Sequence, residues 1–464
     1  MSTSPARAVA FEGRAIGRWR AGLFAATGLA LPLYAFPPFR ILDRDVDLAT
    51  VLAVLFIVSC APLWLRRSVG RGTWILLALA IVVPALALLP PPPVRFSKGT
   101  LLVSGAHWLL VFAFFLCAAT APWPGRSKRT ILLANCAAAV AVAAFALYQT
   151  FGIPRHWPGT GPFLLPIQRE AFRFTRVGGT FFSGGYTRPT SLFLEPAWLG
   201  GYLAWVVASA LGSLLFAPAV WSRRSRFLPA LAASLAIAAT LATVSWGAYA
   251  DFAIAITALL AFSAIRTDRR RSFAAFLLLT LALGGFFVSP VAKPIRGAIA
   301  QRWAMLQSTS LTGEDPMQAR DSSWVRIRNL RHTGELFFSR PWTGIGLGQF
   351  RLYAGPEVKG IPGLSMREPW CGWAALAAEL GVSGPLLLAA ALVFAGRPAF
   401  SSRDALAAVG ISLVLLAAFQ QLHTGSYLDL WWWYPLSLGA ILSGRPLGVP
   451  ERRTGPVRRD SCAS

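Results

Sequence analysis

Charged residues are scarce in this 464-residue sequence. Asp, Glu, Lys and Arg together make up 14% of it, whereas hydrophobic residues make up 55% and the mean hydropathy is +0.55. Soluble domains carry about 25% charged residues to cover their surface. The composition therefore excludes an ordinary soluble globular protein and predicts a chain that crosses a membrane several times.

Cysteine and histidine are also few, with five and four copies. The cysteines are scattered, and neither a CxxC pair nor a Cys/His spacing of the kind found at metal sites occurs. The sequence predicts no structural metal and no disulfide framework.

Long apolar runs are abundant. A bilayer core of roughly 30 Å needs about 20 apolar residues per helix. Runs of this kind predict twelve spans in an all-α polytopic membrane protein, with residues 1–464 as a single membrane domain. The predicted spans are 21–37, 48–65, 73–90, 101–120, 130–151, 194–216, 227–245, 248–265, 273–290, 372–395, 405–422 and 428–443.

Basic residues outnumber acidic residues by 44 to 19, which gives a formal net charge of +25. They concentrate before the first predicted span and after every second one. Examples are Arg14, Arg18 and Arg20; Arg66, Arg67 and Arg71; Arg223, Arg224 and Arg226; Arg452, Arg453, Arg458 and Arg459. This alternation follows the positive-inside rule and predicts cytoplasmic termini, with 444–464 as a cytoplasmic tail. The charge is explained by topology, so we expect no nucleic acid partner.

Two connections on the opposite, external side are long and rich in arginine: 152–193, and the large loop 291–371 between spans 9 and 10. Guanidinium groups bind phosphate through two parallel hydrogen bonds, so an anionic ligand explains this enrichment. Contact with anionic lipid headgroups and plain solvation are the alternatives.

The large loop contains a predicted amphipathic helix over Ser323–Phe338, which places Arg328, His332 and Glu335 on one face. A GxGxG pattern follows at 344–348. No strand precedes it, as a dinucleotide-binding turn would require, so the pattern is interpreted as a flexible turn.

A few ionisable side chains lie within or at the ends of predicted spans, where burial in the membrane has a high free-energy cost. Glu195 stands with Arg188 at the outer end of the sixth span, either as a functional acid or as the structural partner of that arginine. Asp251 lies inside the eighth span, either as a functional acid or to satisfy a helix end. Of the histidines, His332 and His423 are placed to reach an outward cavity, and a structural role is favoured for each.

Three segments in this order resemble the O-antigen ligase and polymerase family of bacterial envelope glycosyltransferases. They are RPTSLFLEPAWLGGYL at 188–203, the Arg326-to-Pro341 spacing followed by PWTGIGLGQF, and ELGVSG at 379–384. Family members transfer a glycan from an undecaprenyl diphosphate carrier to a lipid-linked core sugar, or to another carrier-linked repeat. They are all-helical, and their cavity opens outward.

The resemblance implies a bacterial inner-membrane enzyme with its site facing the periplasm, without a metal or cofactor. Its partners would be the carrier-linked glycan, a lipid-linked or glycan acceptor, and membrane lipids. By the same resemblance, Arg188 and Arg326 match the arginines that face the diphosphate, with Arg328 and Arg331 as neighbours.

The chain departs from the family at two places. Many relatives carry an arginine after the serine of SWGAY (245–249), where this sequence has Trp246. Ligases usually carry a His-Asn pair nine residues before GxxG, where this sequence has Trp370 and Cys371. Either the catalytic base has moved to Glu368 or Glu195, or the protein is polymerase-like, or it only binds lipid-linked glycan. Trp370 and Trp373 would stack on sugar faces, or belong to an interfacial aromatic belt.

The aromatic run Trp431–Tyr434 is assigned to the interfacial belt, where amphipathic rings are enriched. A secondary transporter is the alternative function from another class. The sequence argues against it, because it shows no internal repeat and no paired broken helices.

Overall fold

The computed structural model describes residues 5–34, 39–41, 44–66, 70–86, 96–160, 181–183, 186–193, 195–266, 269–308, 322–353, 370–402, 404–424 and 427–444. Most of these residues are helical. The helices are α1 (Pro5–Ala30), α2 (Leu48–Arg66), α3 (Arg71–Leu86), α4 (Lys98–Thr120), α5 (Gly125–Gly152), α6 (Pro196–Phe216), α7 (Phe227–Ala242), α8 (Trp246–Arg266), α9 (Arg269–Val288), α10 (Lys293–Ser308), α11 (Ser322–Ser339), α12 (Phe350–Tyr353), α13 (Gly372–Leu380), α14 (Ser383–Ser401), α15 (Leu406–Gln420) and α16 (Leu430–Ser443).

Two short antiparallel hairpins interrupt the helices. Strand β1 (Phe39–Ile41) pairs with β2 (Arg44–Val46), and β3 (Phe181–Ser183) pairs with β4 (Tyr186–Arg188). In the second hairpin, Phe181 lies opposite Arg188. Each strand is three residues long, so the hairpins shape connections between helices and leave the all-α class unchanged.

Seven helices of the described chain are long and apolar enough to cross a membrane: α2, α4, α5, α6, α7, α8 and α14. Helices α3 and α15 are apolar but shorter. The other predicted spans coincide with α1, α9 and α16, which are helical but do not belong to that set. The expected all-α, membrane-type architecture is therefore confirmed in its coarse form.

The centre of the bundle is formed by α6, α15 and α16. Every residue of α16 is buried, and 83% of the apolar window of α6 is buried. Glycines allow α15 and α16 to approach closely, because a Cβ on Gly439 would lie 2.8 Å from the carbonyl oxygen of Gly410.

The aromatic run Trp431–Tyr434 belongs to this core, so its assignment to an interfacial belt was wrong. The Trp432 and Trp433 side chains are fully buried. Their indole N–H groups donate to the carbonyl oxygens of Ala417 (2.7 Å) and Tyr427 (2.8 Å). A buried tryptophan N–H usually has such an acceptor, and here α15 and the turn before α16 provide it.

The two ends of the bundle differ. At one end the buried Lys128 amine lies 3.3 Å from a carboxylate oxygen of Asp404 and donates to the carbonyl oxygens of Leu442 and Gly444. At the other end the β3–β4 hairpin packs on the turn between α7 and α8. We call these the Lys128 end and the hairpin end.

The large predicted loop, 291–371, contains α10, α11 and α12 within its described residues. Helix α11 confirms the predicted helix almost residue for residue. The Arg331 guanidinium on it lies 3.4 Å from the Glu335 carboxylate, one helical turn later.

The predicted tenth span, 372–395, is not one helix. It is divided into α13 and α14 at Gly381, whose φ is +65° and ψ is −159°. This region of backbone space is essentially restricted to glycine. The prediction of a continuous span was wrong. A run of apolar residues predicts a helix but gives no sign of one residue with a positive φ inside it.

Candidate functional site

The break between α13 and α14 is filled by the segment 341–350, PWTGIGLGQF. The amide N–H groups of Ile345 and Gly346 donate to the carbonyl oxygens of Ala378 and Glu379, each at 2.9 Å. These bonds satisfy carbonyl groups that the end of α13 leaves without helical partners. Two elements far apart in the sequence are therefore held together by their main chains.

The carboxylate of Glu379 holds the same segment from inside. It is buried and accepts hydrogen bonds from the amides of Gly348 (2.6 Å) and Phe350 (3.0 Å), and from the hydroxyl of Tyr427. Burial raises the pKa of the Tyr427 hydroxyl well above its usual range, so this group stays protonated and donates. The glycine-rich amides thus already bind a carboxylate of the chain itself, which argues against a phosphate-binding turn.

The start of α13 is joined to the end of α15. The amide of Gly372 donates to the carbonyl oxygens of Gln421 (2.7 Å) and Thr424 (2.8 Å). The indole N–H of Trp373 donates to the carbonyl oxygen of Ala418 at 3.0 Å. Trp373 is therefore anchored on α15, and its ring packs on the main core.

Trp370 lies immediately before this junction and contacts α11. Its ring faces the guanidinium of Arg326, with 5.0 Å from Cζ to the ring centroid, a cation–π distance. The Trp370 amide also donates to the side-chain oxygen of the buried Asn329 at 3.3 Å. The structure thus brings together two predicted site residues, Arg326 and Trp370, from different parts of the chain.

The β3–β4 hairpin brings Arg188 to the same end of the bundle. Its Nε donates to the carbonyl oxygen of Thr243 at 2.7 Å, in the turn that leads into α8. The neighbouring Tyr186 hydroxyl donates to the carbonyl oxygen of Ala242 at 2.9 Å. Glu195 is half-buried directly before Pro196, the first residue of α6. Proline suits this first helical position because its missing N–H would have no helical partner.

A cluster of polar side chains lies between α6, α8 and α15. Asp251 is completely buried on α8, and its Oδ1 lies 2.8 Å from Nε2 of His423. The amide of Gln420 donates to the other carboxylate oxygen at 3.3 Å and to the carbonyl oxygen of Gly201 at 3.0 Å. The His423 side chain keeps 17% of its surface exposed. We call Asp251, His423 and Gln420 the polar cluster.

Glycines make room for this cluster. A Cβ on Gly201 would lie 3.0 Å from the side-chain nitrogen of Gln420 and 3.2 Å from the carboxylate of Asp251. A Cβ on Gly247 would lie 3.1 Å from Nδ1 of His423. All three distances are shorter than ordinary van der Waals contacts, so a side chain at either position would crowd the polar cluster.

Three other predicted residues lie on α11. Arg328 and Arg331 are exposed on α11, and Arg331 faces Glu335. His332 uses Nε2 at 2.9 Å from the carbonyl oxygen of Tyr353, which suits a structural role. Glu368 lies outside the described residues.

The sequence singled out Asp251 and His423 separately but did not predict that they are hydrogen-bonded, and it missed Glu379, Asn329 and Gln420. The sequence signal for the polar cluster was an Asp near the start of one apolar helix and a histidine after the end of another.

The cavity of about 390 Å³ at the Lys128 end lies elsewhere. It is lined by Thr120, Trp123, Arg397 and Gly444, among others, and by none of the candidate residues. The candidate residues share the hairpin end of the bundle and do not line this cavity.

No protein-family model matches the chain, and no curated protein is significantly similar to it.

Proposed function

We propose that the protein is a membrane glycosyltransferase of the O-antigen ligase/polymerase type. It transfers a glycan from undecaprenyl diphosphate to a sugar hydroxyl during surface polysaccharide biosynthesis. In this proposal it lies in a bacterial inner membrane, with the hairpin end facing the periplasm.

The convergence at the hairpin end is the observation that carries the proposal. The Gly372 amide joins α13 to the turn that follows α15, and Arg326 of α11 lies over Trp370 at that junction. Arg188 is bonded to the turn that precedes α8, and α8 packs against α6 and α15. Arg188 and Arg326, which belong to two of the segments that carry the resemblance and are more than a hundred residues apart, therefore lie at the same end of the bundle.

The chemistry needs a leaving-group site and a sugar platform. Breaking the anomeric C–O bond leaves the charge on the diphosphate, and guanidinium groups stabilise such charge through paired hydrogen bonds. Arg326 and Arg188 take this role in the proposal. Trp370 is half-buried beside Arg326 and offers an aromatic face to a sugar ring next to the diphosphate.

Replacing Arg326 with alanine tests the proposal. We expect transfer to fall by about 100-fold or more, as when one charge-stabilising donor is lost from an active site. The measurement is complementation of a deletion strain, with the surface polysaccharide resolved by size and the carrier-linked pool analysed beside it. Arg155→Ala is the control, because Arg155 is exposed and bonds only locally, to the carbonyl oxygen of Phe151.

Each pattern in this experiment has a defined meaning. Long polymer retained on the carrier indicates loss of a ligase, and single repeats without a size ladder indicate loss of a polymerase. Normal polysaccharide in Arg326→Ala, with the protein present in the membrane, would remove Arg326 from the site. Normal polysaccharide in the deletion strain would overturn the proposed function.

A secondary transporter is the second candidate, and the break at Gly381 is the observation in its favour. Transporters use broken helices whose free backbone groups line a substrate cavity. Here the backbone groups at the break form hydrogen bonds with the segment 341–350. They are therefore used within the fold and do not line a substrate cavity. In proteoliposomes a transporter would move carrier-linked glycan without forming a new glycosidic bond, whereas a transferase would form one.

A further inference from the structure

The polar cluster contains a histidine that could serve as the proton acceptor which the proposed glycan transfer requires. Attack by a sugar hydroxyl requires a group that takes up its proton, and the usual histidine is replaced by Trp370. His423 lies in the turn after α15 and is partly exposed, while the Asp251 carboxylate that contacts it is fully buried. An imidazole held by a buried carboxylate is the arrangement that positions a general base in many hydrolases.

We infer that His423, positioned by Asp251, accepts the proton of the acceptor hydroxyl during glycan transfer. This inference rests on the proposed function. It makes His423 the catalytic base and Asp251 a positioning residue, with Gln420 holding the second oxygen of the carboxylate.

The geometry identifies the reactive nitrogen. Nε2 of His423 lies 2.8 Å from the Asp251 carboxylate. In this inference the Asp251 carboxylate is ionised and only accepts, which assigns the imidazole proton to Nε2 and the lone pair to Nδ1. Nδ1 faces Gly247, where even a single added carbon would lie 3.1 Å away. Nδ1 therefore lies beside the backbone of α8 at Gly247, where any side chain would crowd it.

The histidine also lies next to the proposed donor site. Thr424, the residue after His423, accepts a hydrogen bond from the Gly372 amide at 2.8 Å. Trp370, two residues before Gly372, carries Arg326 over its ring. The proton acceptor and the diphosphate-binding arginine thus flank the same junction between α13 and α15.

The acceptor hydroxyl oxygen attacks the anomeric carbon of the carrier-linked glycan and forms the new glycosidic bond. The bond between the anomeric carbon and the diphosphate oxygen breaks, and its electron pair stays on the diphosphate. The hydroxyl proton passes to Nδ1 of His423 and then to water. The products are the extended glycan and undecaprenyl diphosphate.

The test uses the full-length protein in proteoliposomes, with undecaprenyl diphosphate-linked glycan as donor. His423→Gln can still donate to Asp251 but cannot act as a base. We expect kcat to fall by about 10²- to 10⁴-fold with little change in KM for the donor. Asp251→Asn should also lower kcat, because the imidazole loses its orienting charge. Added imidazole should restore activity to His423→Ala, which a purely structural histidine would not allow.

Gly247→Ala is a second variant that keeps the whole polar cluster and obstructs Nδ1. It should lower kcat while the purified protein melts close to wild type. His156→Asn is the matched control, because His156 is exposed and has a positive φ that asparagine tolerates.

The possible failures are distinguishable. If His423→Gln and Gly247→Ala keep wild-type kcat while Arg326→Ala is inactive, the inference is overturned and the proposed function stands. If the wild type forms no glycosidic bond with any carrier-linked donor, the proposed function is overturned and the inference falls with it.

Discussion

The carboxylate of Glu379 satisfies three donors from two different connections: the amides of Gly348 and Phe350, and the Tyr427 hydroxyl. A buried charged group is tolerated when its surroundings supply such bonds. Here they also fix the segment 341–350 against α13 and the turn before α16.

Replacing Glu379 with glutamine should destabilise the protein by about 1–3 kcal/mol. Glutamine has the same shape, but its NH₂ group faces donors that then lack an acceptor, and an unsatisfied buried donor costs that much. The measurement is the melting temperature of the detergent-purified protein.

Glu335→Gln is the matched control for this substitution. Glu335 pairs with Arg331 on α11, where the two side chains are 60% and 83% exposed. Exposed pairs contribute little, so the melting temperature should stay within error of wild type. An equal loss in both variants would mean that the contacts of Glu379 add nothing to stability.

The pair of helices α13 and α14 depends on one glycine. The φ of Gly381 is +65°, and a Cβ there would lie 2.5 Å from the main-chain carbonyl of Trp342. Main-chain atoms cannot move aside as a flexible side chain would. The break is therefore a property of the sequence at this position, and the docking of segment 341–350 depends on it.

Gly381→Ala should cost about 1–3 kcal/mol from backbone strain alone, and the close contact with Trp342 adds to this. We expect a lower melting temperature and less protein in the membrane. Gly334→Ala on α11 is the control, since a Cβ there meets nothing within 4 Å, and alanine favours the helix. A melting temperature for Gly381→Ala equal to that of the control would show that α13 and α14 can join without strain.

The sequence predicted the elements that local patterns determine, and it failed for those that depend on tertiary contacts. The positions of most helices follow from long apolar runs, and α11 follows from its amphipathic period. The break at Gly381 and the burial of Trp432 and Trp433 do not, because they depend on contacts with residues far along the chain.

The candidate site was predicted in part for the same reason. Arg326 and Trp370 were chosen from separate segments, and the structure brings them into contact. Asp251 and His423 were noted as isolated residues, because a sequence separation of 172 positions hides a hydrogen bond. Arg328 and Arg331 were chosen by proximity in sequence, which on a helix places neighbours on different faces.

The whole bundle has two chemically different ends, and α5 connects them. It has 28 residues, which correspond to about 42 Å of helix, more than the roughly 30 Å of a bilayer core. Near its start, the guanidinium of Arg129 donates to the hydroxyls of Ser222 and Ser225. Near its end, Gln149 accepts hydrogen bonds from the amides of Thr190 and Ser191, beside the hairpin.

This polarity gives a direct test of topology with single cysteines. Cys60, Cys117 and Cys136 are buried and can remain, while Cys371 and Cys462 are replaced by serine. In intact cells a membrane-impermeant maleimide should label His156→Cys, at the hairpin end, and leave Ser222→Cys unlabelled, because the positive-inside rule predicts that the basic connections lie in the cytoplasm. Permeabilised cells should label both, which is the control for reactivity. The opposite pattern would place Arg326, Trp370 and His423 in the cytoplasm, away from a donor in the outer leaflet, and the proposed function would then fail.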